Sequence, residues 1–152
     1  MPGRKAKDKR ASDYFRFAVE AWGFEYGFHV QPDYKEGDPL SRCWESCEAV
    51  ISGTMRSRTR WRCGRVKLTV SPEAFDDLKN WPPERRGFGW IDGIRAGALT
   101  GRLWLPTQSF QTLLAAMAAT KVRGLYVGVG DIVRGGGKIT SFFTIDPDEP
   151  DE

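Results

Sequence analysis

Gly101–Lys121 reads GRLWLPTQSFQTLLAAMAATK, and the type of domain turns on it. Leu103 and Leu105 alternate with Arg102 and Trp104, the period-2 pattern of a strand with one buried face. Pro106 fixes φ and has no N–H to lose, which suits the first turn of a helix. Phe110, Leu113, Leu114 and Met117 then fall at i, i+3, i+4 and i+7 on one apolar stripe. Ala115, Ala116, Ala118 and Ala119 add helix propensity. The spacing predicts a strand that runs into a helix over about 107–120.

Strands surround this unit. Trp22, Phe24, Tyr26, Phe28 and Val30 share one parity, with Gly23, Glu25, Gly27 and His29 on the other. We read the aromatic side as a core face, because exposed apolar patches of that size are uncommon in monomers. The competing reading is a platform on which single-stranded nucleic acid stacks. Just before it, Phe15, Phe17 and Val19 alternate on the opposite parity, which places a bulge or tight turn near Glu20–Ala21. Residues 31–40 carry loop chemistry, followed by a short turn or helix near 39–44 and a strand through Val50, Ile51, Thr54 and Met55.

Val66, Leu68 and Val70 mark the next strand, and Ser71-Pro72-Glu73 reads as the start of a short helix over about 72–79. Asn80–Gly87 breaks it, Phe88–Ile94 is extended, and Arg95-Ala96-Gly97 is a turn. Leu125–Val133 and Lys138–Ile145 form a hairpin through Arg134 and three glycines, which supply positive φ. Gly64-Arg65-Val66 leading to Pro72 and Phe75 also echoes Gly101-Arg102-Leu103 leading to Pro106 and Phe110. The expected fold is mainly β: an antiparallel β-sandwich or one strongly curved sheet, with the 107–120 helix closing an end or edge. The alternative is α+β, the helix lying flat on a single sheet.

A chain of 152 residues, 40% hydrophobic and 28% charged, is long enough for one domain with its own core. Five basic residues in 1–10 stand against Asp8 alone, and Asp146, Asp148, Glu149, Asp151 and Glu152 crowd the other end. We expect a disordered basic tail at 1–12, a single domain at 13–146 and a disordered acidic tail at 147–152. No window has the apolar length of a membrane span and no signal-peptide pattern follows the basic start, so no membrane association and a cytoplasmic location are expected. Cys43, Cys47 and Cys63 are an odd set that needs no disulfide, in keeping with a reducing compartment.

Catalytic templates fail one by one. A single histidine, His29, excludes HExxH, and GxSxG is absent. Gly136-Gly137-Lys138 lacks the phosphate-loop glycine, with Ile132 in its place, and Gly128-Val129-Gly130 meets Val133 where the dinucleotide fingerprint needs glycine. The three cysteines and His29 have the chemistry of zinc ligands without the usual close CxxC pairs, so buried thiols are the preferred reading. Asp76, Asp77 and Asp92 form no acid–base couple. No catalytic residue, no metal and no cofactor is assigned.

The feature with chemical direction is Arg56, Arg58, Arg60 and Arg62, followed by Arg65 and Lys67, with no acid between Glu48 and Glu73. If extended, residues 56–62 would project four guanidiniums from one face every 6.6–7 Å or so. That spacing suits phosphates along a nucleic-acid strand, which guanidinium binds bidentately. Trp61 lies among them on the opposite parity, although at a loop tip it could turn to stack on a base. The competing reading is a solvated hairpin tip whose charge keeps an edge strand soluble. A net charge of +3 and a pI near 8.8 are modest for a nucleic-acid binder. Three function classes follow: a non-enzymatic module binding nucleic acid or another anionic macromolecule, a protein-interaction or self-associating component, and an enzyme whose site assembles only in three dimensions.

Overall fold

The computed structural model describes residues 11–30, 43–57, 59–73 and 87–150, with backbone alone at 43–44. Among these residues, seven strands form one sheet: β1 (Ala11–Val30), β2 (Cys43–Met55), β3 (Arg65–Glu73), β4 (Gly89–Arg95), β5 (Ala98–Pro106), β6 (Gly124–Val133) and β7 (Gly136–Ile145). The single helix among them, α1 (Thr107–Ala118), joins β5 to β6. The sheet closes into a barrel in the order β1-β2-β3-β5-β4-β7-β6, and β6 pairs back onto β1. Neighbours are antiparallel except β3 and β5, which run parallel from Val66 opposite Leu99 to Glu73 opposite Pro106. No described helix is long and apolar enough to cross a membrane.

The mainly β expectation holds, with one helix and one seven-stranded sheet among the described residues. One closed sheet replaces both the sandwich and the helix lying on an open sheet. Alternation reveals a buried face without revealing what covers it, and here the covering wall is the same sheet curled round. Ser71, Pro72 and Glu73 continue β3 opposite Trp104, Leu105 and Pro106 instead of starting a helix. Pro72 is tolerated because β2 stops pairing with β3 at Val70, so no N–H is owed there. The rest of the expected 72–79 helix, the 80–86 break and the 39–42 turn lie outside the described residues. The two echoing segments are neighbours in space, as the parallel pair β3 and β5.

Phe15, Phe17, Ile51, Val66, Leu68, Val70, Ile91, Leu99, Leu103, Leu125, Val127, Val129 and Ile139 fill the interior. α1 begins where β3 and β5 end, and its Phe110, Leu113 and Met117 join the same core at that end. Burying each side chain contributes about 1.5–3 kcal/mol. The opposite end holds the 56–64 loop and two hairpin turns. Ala96 (φ 49°) with Gly97 (φ 79°), and Arg134 (φ 53°) with Gly135 (φ 82°), have the paired positive φ of type I′ turns, matching the right-handed twist of their strands.

The bulge appears where the change of parity placed it. Val19 stands opposite Gly53 and Ala21 opposite Ser52, leaving Glu20 as the extra residue in one continuous strand. Gly53 is required there, since a Cβ would collide with the Ala18 carbonyl. β1 pairs with β6 only as far as Ala18, and β2 pairs with β3 only from Ala49 to Thr54. Beyond those limits residues 21–24 keep only 49–52 as a partner, and residues 25–30 and 43–48 pair with each other alone, so that the pair stands out as a two-stranded ribbon at the α1 end.

The core reading of residues 22–30 is overturned by this ribbon. Its aromatic side continues the inner wall, with Trp22 opposite Ile51 and Phe24 opposite Ala49. Ile51 and Ala49 are buried, whereas Trp22, Phe24, Tyr26, Phe28 and Val30 are 38–58% exposed. The strand simply outruns the barrel.

Candidate nucleic-acid interface

Residues 56–57 and 59–64 belong to no strand, so the even arginine ladder expected of an extended segment is not formed among the described residues. Short hydrogen bonds shape this stretch. Arg56 N–H donates to the Arg16 carbonyl at 2.7 Å, Met55 N–H to the Gly64 carbonyl at 2.8 Å, and Trp61 N–H to Thr59 Oγ1 at 3.2 Å. Trp61 turns inward. It is 5% exposed, meets Phe15 edge-on at 5.7 Å, and its Nε1 donates to the Gly135 carbonyl at 2.7 Å. Its ring plugs the barrel and is not presented to a base.

The same plug draws other cations to this end. Trp61 ties the loop to the β6–β7 turn, and Cys63 Sγ lies 3.2 Å from the Gly97 carbonyl in the β4–β5 turn. Each turn carries an arginine at its shoulder, Arg95 and Arg134. Arg56, Arg60, Arg62, Arg95 and Arg134 are therefore exposed on one rim. Among the described residues none of the five forms an ion pair with a carboxylate. Arg58, the remaining member of the run, lies outside the described residues. Three acids lie nearby: Asp13 accepts from the Arg60 backbone N–H at 3.2 Å, Asp131 pairs with Lys138 at 3.6 Å, and Glu20 feels the charge of Arg56 while bonded to Thr54 and Arg65.

Two expected members sit differently. Arg65 opens β3 and pairs with Glu20 at 3.4 Å. Lys67 is exposed on the barrel wall, two residues from the rim. Thr54 Oγ1 donates to the Glu20 carboxylate, and this bond, reinforced by Arg65, holds its pKa below the ordinary value of 4.5. Sequence reading missed Arg95 and Arg134 because each stands alone in the chain. The available signal was an arginine beside a turn glycine, which gains meaning only once the turns share an end.

The ribbon has the opposite electrostatic character. Residues 21–30 and 43–50 contain Glu25, Glu45 and Glu48 and neither lysine nor arginine. Between its aromatic face and α1 lies a groove of about 540 Å³, lined by Phe24, Tyr26, Glu45, Cys47, Phe110 and Leu114 among others. Tyr26 Oη donates to Glu45 at 3.1 Å, which raises the phenol pKa, and burial raises that of the Cys47 thiol.

Cys47, Cys63 and His29 are not brought together, and the Cys43 side chain lies outside what is described. Cys63 is at the rim, and Cys47 and His29 are on opposite faces of the ribbon, His29 Nε2 lying 2.9 Å from Ser46 Oγ. Among the described residues no three metal-ligating side chains converge. At the acidic end, Arg123 meets Asp148 at 2.8 Å and Asp146 at 3.7 Å, and Arg16 Nη1 donates to the Glu149 carbonyl at 2.8 Å. The first residues of that segment are thus held against the barrel. No protein-family model, curated protein or solved structure matches the chain.

Proposed function

We propose that the chain is a non-enzymatic nucleic-acid-binding module whose phosphate-contacting surface is the rim formed by Arg56, Arg60, Arg62, Arg95 and Arg134. The supporting observation is the convergence of one loop and two turns that leaves five exposed guanidiniums, none within 4.0 Å of a carboxylate oxygen among the described residues, with Arg56 alone feeling the charge of Glu20. Guanidinium binds phosphate in a fixed bidentate fork, and release of condensed counterions makes such binding salt-dependent. Arg58, close in sequence, belongs to the same proposal. Fluorescence anisotropy with labelled oligonucleotides tests it. Replacing Arg56, Arg60 and Arg62 with Ala should cut affinity and flatten the dependence of log K on log salt. Binding unchanged in that variant refutes the reading.

A second reading, self-association, is favoured by the ribbon. It exposes a row of aromatics beside backbone N–H and C=O groups with no strand partner among the described residues, and such margins recruit further strands. Its three carboxylates are opposite in sign to the arginine rim of a second copy. Light scattering without nucleic acid separates the two: a stable oligomer that dissociates on Phe28→Ser supports assembly, and a monomer at micromolar concentration rejects it.

A further inference from the structure

Trp90 stands on the outer wall where β4 meets β7, 45% exposed. Its cross-strand partners on both sides are cations, Arg102 on β5 and Lys138 on β7. Directly opposed residues project from the same face with Cβ atoms about 4.5–5.5 Å apart, so the indole is bracketed by two positive groups. Both are exposed. Lys138 shares its charge with Asp131 at 3.6 Å, a solvated pair of the kind that contributes little. Trp104 packs against Trp90 with centroids 4.8 Å apart and planes at 49°, supporting one side of the ring.

We propose that Trp90 is a base-stacking site and that the nucleic acid bound by this chain is single-stranded. This rests on the reading of the arginine rim as a phosphate-binding surface. Inside a duplex every base is covered by its neighbours, so only an unpaired strand offers a free π-face to an indole, with Arg102 and Lys138 receiving the flanking phosphates. Trp90 lies five residues along β4 from Arg95, about 17 Å at the rise of a strand, so one extended strand reaches both. The ribbon aromatics do not share this fit, because the charged neighbour on their face is Glu45, opposite Phe28 and bonded to Tyr26, and residues 21–30 and 43–50 hold no lysine or arginine to receive a phosphate.

The test compares wild type, Trp90→Ala, Trp90→Phe and the Arg56/Arg60/Arg62→Ala variant, each first checked for folding by circular dichroism. Each is titrated with a labelled oligo-dT and with a duplex hairpin of equal phosphate number at fixed salt. Oligo-dT should bind wild type more tightly than the duplex and quench its tryptophan emission. Trp90→Ala should weaken oligo-dT roughly tenfold or more and leave the duplex little changed, while Trp90→Phe retains most of the affinity. If Trp90→Ala does not fold, Trp90→Leu keeps apolar bulk at the seam without a π-face and takes its place. Equal binding of oligo-dT by wild type and the Trp90 variant, or equal losses for both ligands, overturns the stacking site alone. An arginine variant that binds both ligands as wild type does overturns the rim reading, whatever Trp90 does.

Discussion

The indole Nε1 of Trp61 donates to the carbonyl of Gly135 across 2.7 Å, so the loop that carries the arginines is latched to a turn 74 residues away. Trp61→Phe keeps an aromatic plug and removes the hydrogen bond, and should cost about 1 kcal/mol. Trp61→Ala empties the plug and should cost about 3–5 kcal/mol. Guanidinium unfolding midpoints at pH 7 distinguish the two. Equal midpoints would show that the ring does not seal the barrel.

Arg95 and Arg134 extend the basic surface beyond its linear run. Replacing both with Ala should weaken oligonucleotide binding and lower the slope of log K against log salt by about 0.7–0.9 per lost contact. Arg65→Ala and Lys67→Ala should matter less, because Arg65 is paired with Glu20 and Lys67 lies on the wall. Isotherms collected between 50 and 200 mM salt, or so, would rank the four.

Glu20 gives stability a defined acid dependence. Its pKa is depressed in the folded chain by the Thr54 hydrogen bond and by Arg65, so the unfolded chain takes up a proton first as pH falls. The stabilisation is therefore present above the ordinary carboxylate value of 4.5 and is lost as pH drops through the lower folded value. Glu20→Gln should melt slightly below wild type at pH 7, and the gap should close on acidification past that range. A gap that stays constant down to strongly acid pH would contradict the assignment.

Cys47 should be a slow nucleophile. Burial in the groove beside α1, with Glu45 nearby, raises its pKa and lowers its thiolate fraction at neutral pH. Alkylation by iodoacetamide at pH 8, followed by peptide mass spectrometry, should label it more slowly than an unstructured cysteine peptide. Glu45→Gln should speed the reaction modestly.

Phe17 and Phe28 lie on one strand and should respond oppositely to truncation. Phe17 is fully buried, and Phe17→Ala should cost about 3–5 kcal/mol. Phe28 is 58% exposed, and Phe28→Ser should change stability within about 0.5 kcal/mol. Urea denaturation of both variants checks whether the ribbon stands clear of the core.

Local features of the fold were legible because local chemistry decides them. The Phe110–Met117 stripe, the Arg134-Gly135 and Ala96-Gly97 reversals, and the bulge at Glu20 each follow from a handful of adjacent residues. Closure of the sheet and the parallel β3–β5 pair depend on partners far along the chain, which periodicity does not encode. Alternation in residues 22–30 revealed an apolar side correctly, but the lengths of β6 and β3 decide whether anything covers it. The candidate site divides in the same way. The Arg56–Arg62 run was visible as charge, Trp61 was misplaced because a loop let it turn inward, and Arg95 and Arg134 joined only through topology.

Glu20 also sets the phase of the arm. Before it, odd-numbered side chains of β1 point to the barrel axis, and after it even-numbered ones continue that side. Were Glu20 paired in the ladder like its neighbours, unbroken alternation would turn the projecting arm half a rotation, so that Gly23, Glu25, Gly27 and His29 would take the place of the rings. One residue left out of the ladder thus determines whether the arm meets its surroundings with an oily side or a polar one.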